Sequence, residues 1–192
     1  MTLDEMKRKL ENSLTYKRYV HSINVMDTAA ELAEKYHEDT DKAAIAGLLH
    51  DCARDIRGSR IFELCNKFNI EVDDIMLRQP ELLHGMIGAH MAEFDYGVSD
   101  GSIRNAIRCH TIGSVDMGML DKIIFIADYI EPGRNFSGID KARELAFNDI
   151  DAALLLSFDK TIDYVISKGK LIHPGTIAAR NSILMKNLKD CR

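Results

Sequence analysis

Apolar residues recur at three- and four-residue steps along almost the whole chain, the period of amphipathic helices. Leu3, Met6, Leu10 and Leu14 mark a first helix, and a second runs from about Tyr16 to His37. A third, from about Asp39 to Asp55, is apolar on most sides (Ala43, Ala44, Ile45, Ala46, Leu48, Leu49), which places it at the centre of the fold. Ser59 can cap a short helix carrying Ile61, Phe62, Leu64, Cys65 and Phe68, and Pro80 suits the first turn of a helix over PELLHGMIGAHMAEF. Further helices are expected at about 100–110, 116–130, 140–147, 150–168 and 176–188, with Gly169 a C-terminal stop. No stretch alternates with the period of a strand, and there is no repeat, low-complexity tract or Pro/Gly/Ser-rich linker. The expectation is an all-α helical bundle forming a single domain over residues 1–192.

Composition narrows the partners. The 192 residues are 46% hydrophobic, enough to bury a sizeable core. A net charge of −5 argues against nucleic acid, which selects a basic face, but leaves room for a small cationic pocket. The four cysteines, Cys52, Cys65, Cys109 and Cys191, form no C-x-x-C pair, so a zinc ribbon or thioredoxin-type site is unsupported. A disulfide framework is not expected in a chain of this size, and a reducing cytoplasm fits best. MTLDEMKRKLENSL is charged throughout, without the apolar region of a signal peptide, and no apolar run reaches the roughly 18 residues of a membrane span.

One stretch disturbs the apolar pattern. AGLLHDCARDI sets His50 and Asp51 side by side at the end of the most buried helix. The dipeptide alone is about what chance supplies, and a solvent-facing helix end would explain it. Its company changes that reading. His21 shares a helix face with Val25, Thr28 and Leu32; His84 follows an apolar pair in ELLHGMIGA; His110 closes IRNAIRCH; Asp128 sits in KIIFIADYI, four residues after Ile124. Six side chains able to bind metal therefore lie on or beside the inward faces of five helices. Buried ionisable groups without partners are costly, and a shared metal resolves that cost. Imidazole and carboxylate suit Fe, Mn, Zn and related divalent ions. Four His and two Asp exceed the needs of one open ion and suit two, with one Asp bridging. Such a pair makes a bridging hydroxide and clamps the oxygens of a phosphoryl group.

The order His21 … His50-Asp51 … Asp128 resembles the HD-domain metal-dependent phosphohydrolases, and His84 with His110 resembles their dinuclear members. RYVHS, AGLLHDCARD, LLHGMIGA, RCHTIG, MLDKIIFIADYIEPGR and IHPGTIAARN together are similar to the bacterial YqeK-type symmetrical bis(5′-nucleosyl)-tetraphosphatases, over about Arg18 to Asn181. The resemblance implies cleavage of diadenosine tetraphosphate into two ADP by a di-iron centre, with Mn, Co or Zn as alternatives, and leaves a homodimer possible. It also implies that His21, His50, Asp51 and Asp128 hold one ion and Asp51, His84 and His110 the other, with Asp51 the bridge.

A polyphosphate needs cations beside the metals. Arg18 lies three residues before His21, Arg54 three after Asp51, and Arg134 just past Asp128 in YIEPGR. An isolated arginine is usually a solvated surface charge, but each of these is tied by sequence to a proposed ligand. Asp51 and Arg54 are the candidate catalytic residues. In KLIHPGTIAARN, Lys170, His173, Thr176 and Arg180 fall on a Pro-Gly turn and helix start; Thr176 as a simple N-cap and His173 as a turn residue are the plainer reading. A helix N-terminus also favours an anion, and the resemblance lays the segment over the nucleotide. Leu83, His21 and His110 complete the candidate substrate contacts. His90 shares a face with Leu83, Met86, Ile87 and Phe94 and is expected to be a hydrogen-bonded core histidine.

Three rivals remain. The ppGpp hydrolases of the same superfamily read H-D-x-x-E-D, whereas here Arg54 puts a cation at the acidic position. A nucleotide phosphatase keeps the same ligands. A non-catalytic nucleotide sensor is disfavoured by the complete ligand set.

Overall fold

A computed structural model describes residues 1–189; Cys191 lies outside them. The described residues contain helices and no strand: α1 (Leu3–Glu11), α2 (Tyr16–Lys35), α3 (Thr40–Leu49), α4 (Ser59–Lys67), α5 (Asp74–Arg78), a 3₁₀ turn (Pro80–Leu83), α6 (His84–Tyr96), α7 (Gly101–Cys109), α8 (Met119–Ile130), α9 (Ile139–Asn148), α10 (Ile150–Ser167) and α11 (Pro174–Lys189). The all-α expectation holds. None of these helices is long and apolar enough to cross a membrane.

Local chemistry explains where the helices begin. Aspartate carboxylates accept from backbone amides at the starts of four of them: Asp39 from Lys42, Asp73 from Ile75 and Met76, Asp100 from Ser102 and Ile103, and Asp149 from Ala152. Each satisfies amides that a helix start leaves without a partner. Four boundaries depart from the sequence reading. Ser59 does not cap α4; it sits inside the first turn, bonded to Glu63 Oε1 at 3.1 Å, and Gly58 precedes it. Pro80 opens a tight 3₁₀ turn, with the α-helix starting only at His84. The short helix α5 lies where no pattern announced one; its five residues are too few to show a period, and the Asp73 cap sets it. The third helix stops at Leu49 rather than Asp55. Beyond it the chain winds through tighter turns, with Cys52 N–H donating to Leu49 O, Arg54 N–H to Asp51 O and Ile56 N–H to Ala53 O.

The core forms around α3. Ala43, Ala46, Leu48 and Leu49 are fully buried among α2, α7 and α8. A second apolar cluster (Ile61, Leu64, Cys65, Met76, Leu83, Ile87) seats α4, α5 and the 3₁₀ turn against α6. The approach of α3 to α2 requires glycine at position 47. A Cβ there would lie 2.9 Å from Met26 Cα and 3.0 Å from Val25 O, both main chain. That contact brings His50 and Asp51, one turn later, within reach of His21 on α2.

Gly47→Ala tests this arrangement. Alanine gains about 1 kcal/mol of helix propensity, but the clash forces the helices apart, and overpacking of this kind costs about 1–3 kcal/mol. A net loss of stability is expected in a denaturant melt; a gain would mean that α2 and α3 separate freely.

Candidate metal centre

His50, His84 and His110 share one local device. Each stands at a helix junction, and each ring points its Nδ1 at the carbonyl three residues back: His50 to Gly47 O at 2.7 Å, His84 to Glu81 O at 2.6 Å and His110 to Ile107 O at 2.7 Å. A carbonyl only accepts, so each Nδ1 carries the proton and donates it, and Nε2 is left with a lone pair. His21 lies within α2 and directs its Nδ1 to the carboxylate of Glu131 at 3.1 Å, with the same result.

The four Nε2 atoms converge in two pairs. His21 and His50 bring theirs to 3.2 Å, and His84 and His110 to 3.0 Å. Facing lone pairs repel unless a cation lies between them. The Asp51 carboxylate separates the pairs. Its Oδ1 lies 3.1 Å from His84 Nε2 and 3.6 Å from His110 Nε2; its Oδ2 lies 3.7 Å from His50 Nε2 and 3.9 Å from His21 Nε2. Asp128 Oδ1 joins the second set, 3.0 Å from His21 Nε2 and 3.9 Å from His50 Nε2. Donors bonded to one divalent ion at about 2.1 Å sit roughly 3–4 Å from each other. These spacings fit two ions sharing Asp51. Sets that could hold an ion are His21/His50/Asp51, His50/His110/Asp128 and Asp51/His84/His110, each with donor atoms within 4.8 Å.

The electrostatics of His50, His84, Asp51 and Asp128 suit cation binding. Burial pushes His50 down to about 4 and lowers His84 as well, which keeps both rings neutral. Burial opposes ionisation of Asp51, but His50, His110 and His84 outweigh it and hold the carboxyl well below the usual range. Asp128 is lowered too, burial being overcome by His21, His50 and Arg134. His21 goes the other way: burial lowers it, but Asp128 raises it further.

Around this cluster lies a cavity of about 290 Å³, lined by Arg18, Arg54, Arg134, Thr111, Leu82, Phe125, Tyr129 and Thr161 among others. Arg18 Nη1 donates to Asp51 Oδ2 at 3.1 Å. Arg134 donates from Nε to the Asp128 carbonyl at 2.8 Å and from Nη2 to its carboxylate. Arg54 Nη1 donates at 3.1 Å to the same Glu81 carbonyl that holds His84. A second cavity, of about 490 Å³, meets the first along Arg54, Glu81 and His84 and adds Arg57 and Lys170.

The other candidates are placed differently. Lys170 reaches the second cavity, paired with Glu81 Oε1 at 2.9 Å. His173 Nε2 meets Asp73 Oδ2 at 2.7 Å, and its Nδ1 accepts from Gly175 N–H; it stands immediately before α11, whereas Thr176 lies within the helix's first turn. Two candidates are corrected. Leu83 is 0% exposed, its side chain in the second apolar cluster, and Leu82 is the leucine that lines the cavity. Arg180 pairs with Asp159 at 2.7 Å in a separate hollow with Ile162, Asp163, Ile177 and Asn181. Asp159 lies on α10, and Arg180 is not among the residues that line the cavity around the histidines. His90 is half-buried, stacked on Phe68 at 4.9 Å, rather than a hydrogen-bonded core histidine.

Sequence reasoning missed Glu131, Thr111 and Tyr129. Thr111 Oγ1 lies 3.1 Å from His84 Nε2 and 3.2 Å from His110 Nε2. All three neighbour motif residues (His110, Asp128), and proximity to those residues was the available signal.

An HD domain model matches residues 18–133, and HD-domain proteins are metal-dependent phosphohydrolases. Similar proteins narrow the class. The symmetrical bis(5′-nucleosyl)-tetraphosphatase of Halalkalibacterium halodurans is 39% identical over 173 residues, 90% of this chain and 92% of that protein. The protein of the same description from Bacillus subtilis is 36% identical, covering 94% of this chain and 97% of its own. A crystal structure from Clostridium acetobutylicum, described as a predicted HD superfamily hydrolase involved in NAD metabolism, superposes with a TM-score of 0.94 at 48% identity, covering 97% of this chain and 98% of that one. The chain belongs to the symmetrical bis(5′-nucleosyl)-tetraphosphatase family of HD-domain hydrolases.

Facing lone pairs lead to an expectation about stability. Stripping the protein with a strong chelator should lower Tm, and restoring Mn²⁺ should raise it, because an ion bound only by the folded chain stabilises it by mass action. A Tm indifferent to metal would show that the cluster closes on itself without an ion.

Proposed function

We propose that the chain, as one HD-type domain, hydrolyses diadenosine tetraphosphate symmetrically to two ADP. The observation that carries the reading is Asp51, one carboxylate oxygen directed at each histidine pair. His21, His50, Asp51 and Asp128 would hold one ion and Asp51, His84 and His110 the other. The donor set suits iron, which the family resemblance also favours, with Mn, Co or Zn able to substitute. When bound, the ion pair supplies activated water and charge neutralisation at the scissile phosphorus.

The chain's own residues do the rest. Pinned imidazoles keep their Nε2 atoms aimed inward with no reorganisation at the moment of reaction. Arg18, Arg54 and Arg134 ring the cavity and offset the charge of the tetraphosphate. Arg54 stands between the two cavities, so a phosphate chain crossing the metals passes beside its guanidinium. Leu82, Phe125 and Tyr129 supply an apolar flank for a nucleoside. Lys170 and His173, held by Glu81 and Asp73, are substrate contacts that a polyphosphate draws away from those carboxylates. ADP leaves readily, so no strong general acid is required.

The product assay decides. Metal-loaded protein incubated with diadenosine tetraphosphate should yield ADP alone. AMP with ATP would mean asymmetric cleavage, and tight binding without turnover would make the chain a sensor. Asp51→Ala should strip both ions, and His84→Ala should release one ion and abolish most of the rate; elemental analysis reads both. Unchanged metal content and rate in His84→Ala would reduce the centre to a single ion.

A further inference from the structure

Glu131 is buried at 4% exposure, at the end of α8. One oxygen, Oε1, faces His21 Nδ1 at 3.1 Å; the other, Oε2, accepts from Asn24 Nδ2 at 2.8 Å and from Gly133 N–H. The chain wraps closely around this carboxylate: a Cβ on Gly133 would lie 2.9 and 3.0 Å from its two oxygens. Arg143 on α9 clamps the same turn from outside, donating to the carbonyls of Ile130, Glu131 and Arg134. The carboxylate is therefore held in place before any ligand arrives.

Its partner sets it apart. His50, His84 and His110 are backed by neutral main-chain carbonyls, whereas His21 alone is backed by an anion. At His84 the Arg54 guanidinium meets the ring's own Nδ1 at 3.1 Å and shares its Glu81 carbonyl, whereas the cation on the His21 side, Arg134, meets the Glu131 carboxylate at 3.7 Å and not the ring. A carboxylate behind an imidazole makes it a better donor to a metal; a cation beside it makes it a poorer one. The donor sets differ in the same sense. Asp128 Oδ1 stands 3.0 Å from His21 Nε2, whereas the carboxylate that meets His84 Nε2, at 3.1 Å, is the shared Asp51.

We infer that Glu131 is a positioning residue that makes the two ion positions unequal, so that the His21 side holds its ion more tightly than the His84 side. This rests on the reading of the six residues as a two-ion centre. Glu131 touches no reacting atom; it acts through the orientation and donor strength of His21. The expected consequence is ordered loading, with the His21 position filled first.

The test uses the full chain loaded with Mn²⁺ and dialysed against graded chelator concentrations, with retained ions counted per chain. Wild type should release its ions in two separate steps. In Glu131→Gln, which keeps the shape and an acceptor oxygen but removes the charge, the tighter step should move by about tenfold or more, and the weaker step should stay. A purely structural role would move both steps together or neither, and either result overturns the inference. Circular dichroism checks folding. Should Glu131→Gln fail to fold, Asn24→Ala carries the test: it loosens the carboxylate while leaving its charge beside His21. A smaller shift confined to the tighter step supports the inference, and no shift overturns it. Two equal ions in wild type overturn it while leaving the two-ion reading intact. A wild type that retains no ion fails that reading as well.

Discussion

A carboxylate buried between two pairs of inward-facing imidazole lone pairs is the constraint on which this structure turns. Asp51 is 4% exposed, and the four Nε2 atoms around it stand in pairs 3.0 and 3.2 Å apart. Left alone, facing lone pairs repel and a buried carboxylate loses its hydration. What makes the arrangement durable is that each ring is locked from behind. Three use the same geometry, a histidine at a helix junction donating to the carbonyl three residues back. Such carbonyls lack a full complement of helical partners, so one hydrogen bond satisfies the backbone and fixes the tautomer. Metal-binding capacity is in this sense a by-product of where helices stop.

The charge around the centre reconciles a chain of net charge −5 with the polyphosphate substrate proposed for it. Many of the aspartates are spent elsewhere, four of them capping helices. Arg18, Arg54 and Arg134 instead concentrate at one cavity, each tied to a ligand carboxylate or to the carbonyl behind a ligand ring. In a chain that is acidic as a whole, a local cationic rim is what the proposed small polyphosphate would meet.

Much of this could be read along the chain, and the failures share a cause. Helical periodicity located most elements because it is a property of neighbouring residues. It overran at Leu49 because LLHDCARD keeps the apolar spacing while His50 and the turns after it end the helix. The candidate substrate contact was Leu83 rather than Leu82, because adjacent residues on a 3₁₀ turn point about 120° apart and only packing decides which is buried. Arg180 carries the right charge in the right segment, but α11 turns it to Asp159. Glu131 went unnoticed because its partner, His21, lies 110 residues away.

The sequence by itself determined the all-α architecture and the six candidate ligands, since residue type and helical spacing are local and additive. The tertiary structure decided the rest. It directed the two oxygens of Asp51 to different histidine pairs, put an anion behind His21 and a cation beside His84, and gathered three arginines around one cavity. Those outcomes depend on contacts of 3.0 to 3.2 Å between side chains remote in sequence. Such distances come from packing, here the contact at Gly47 above all.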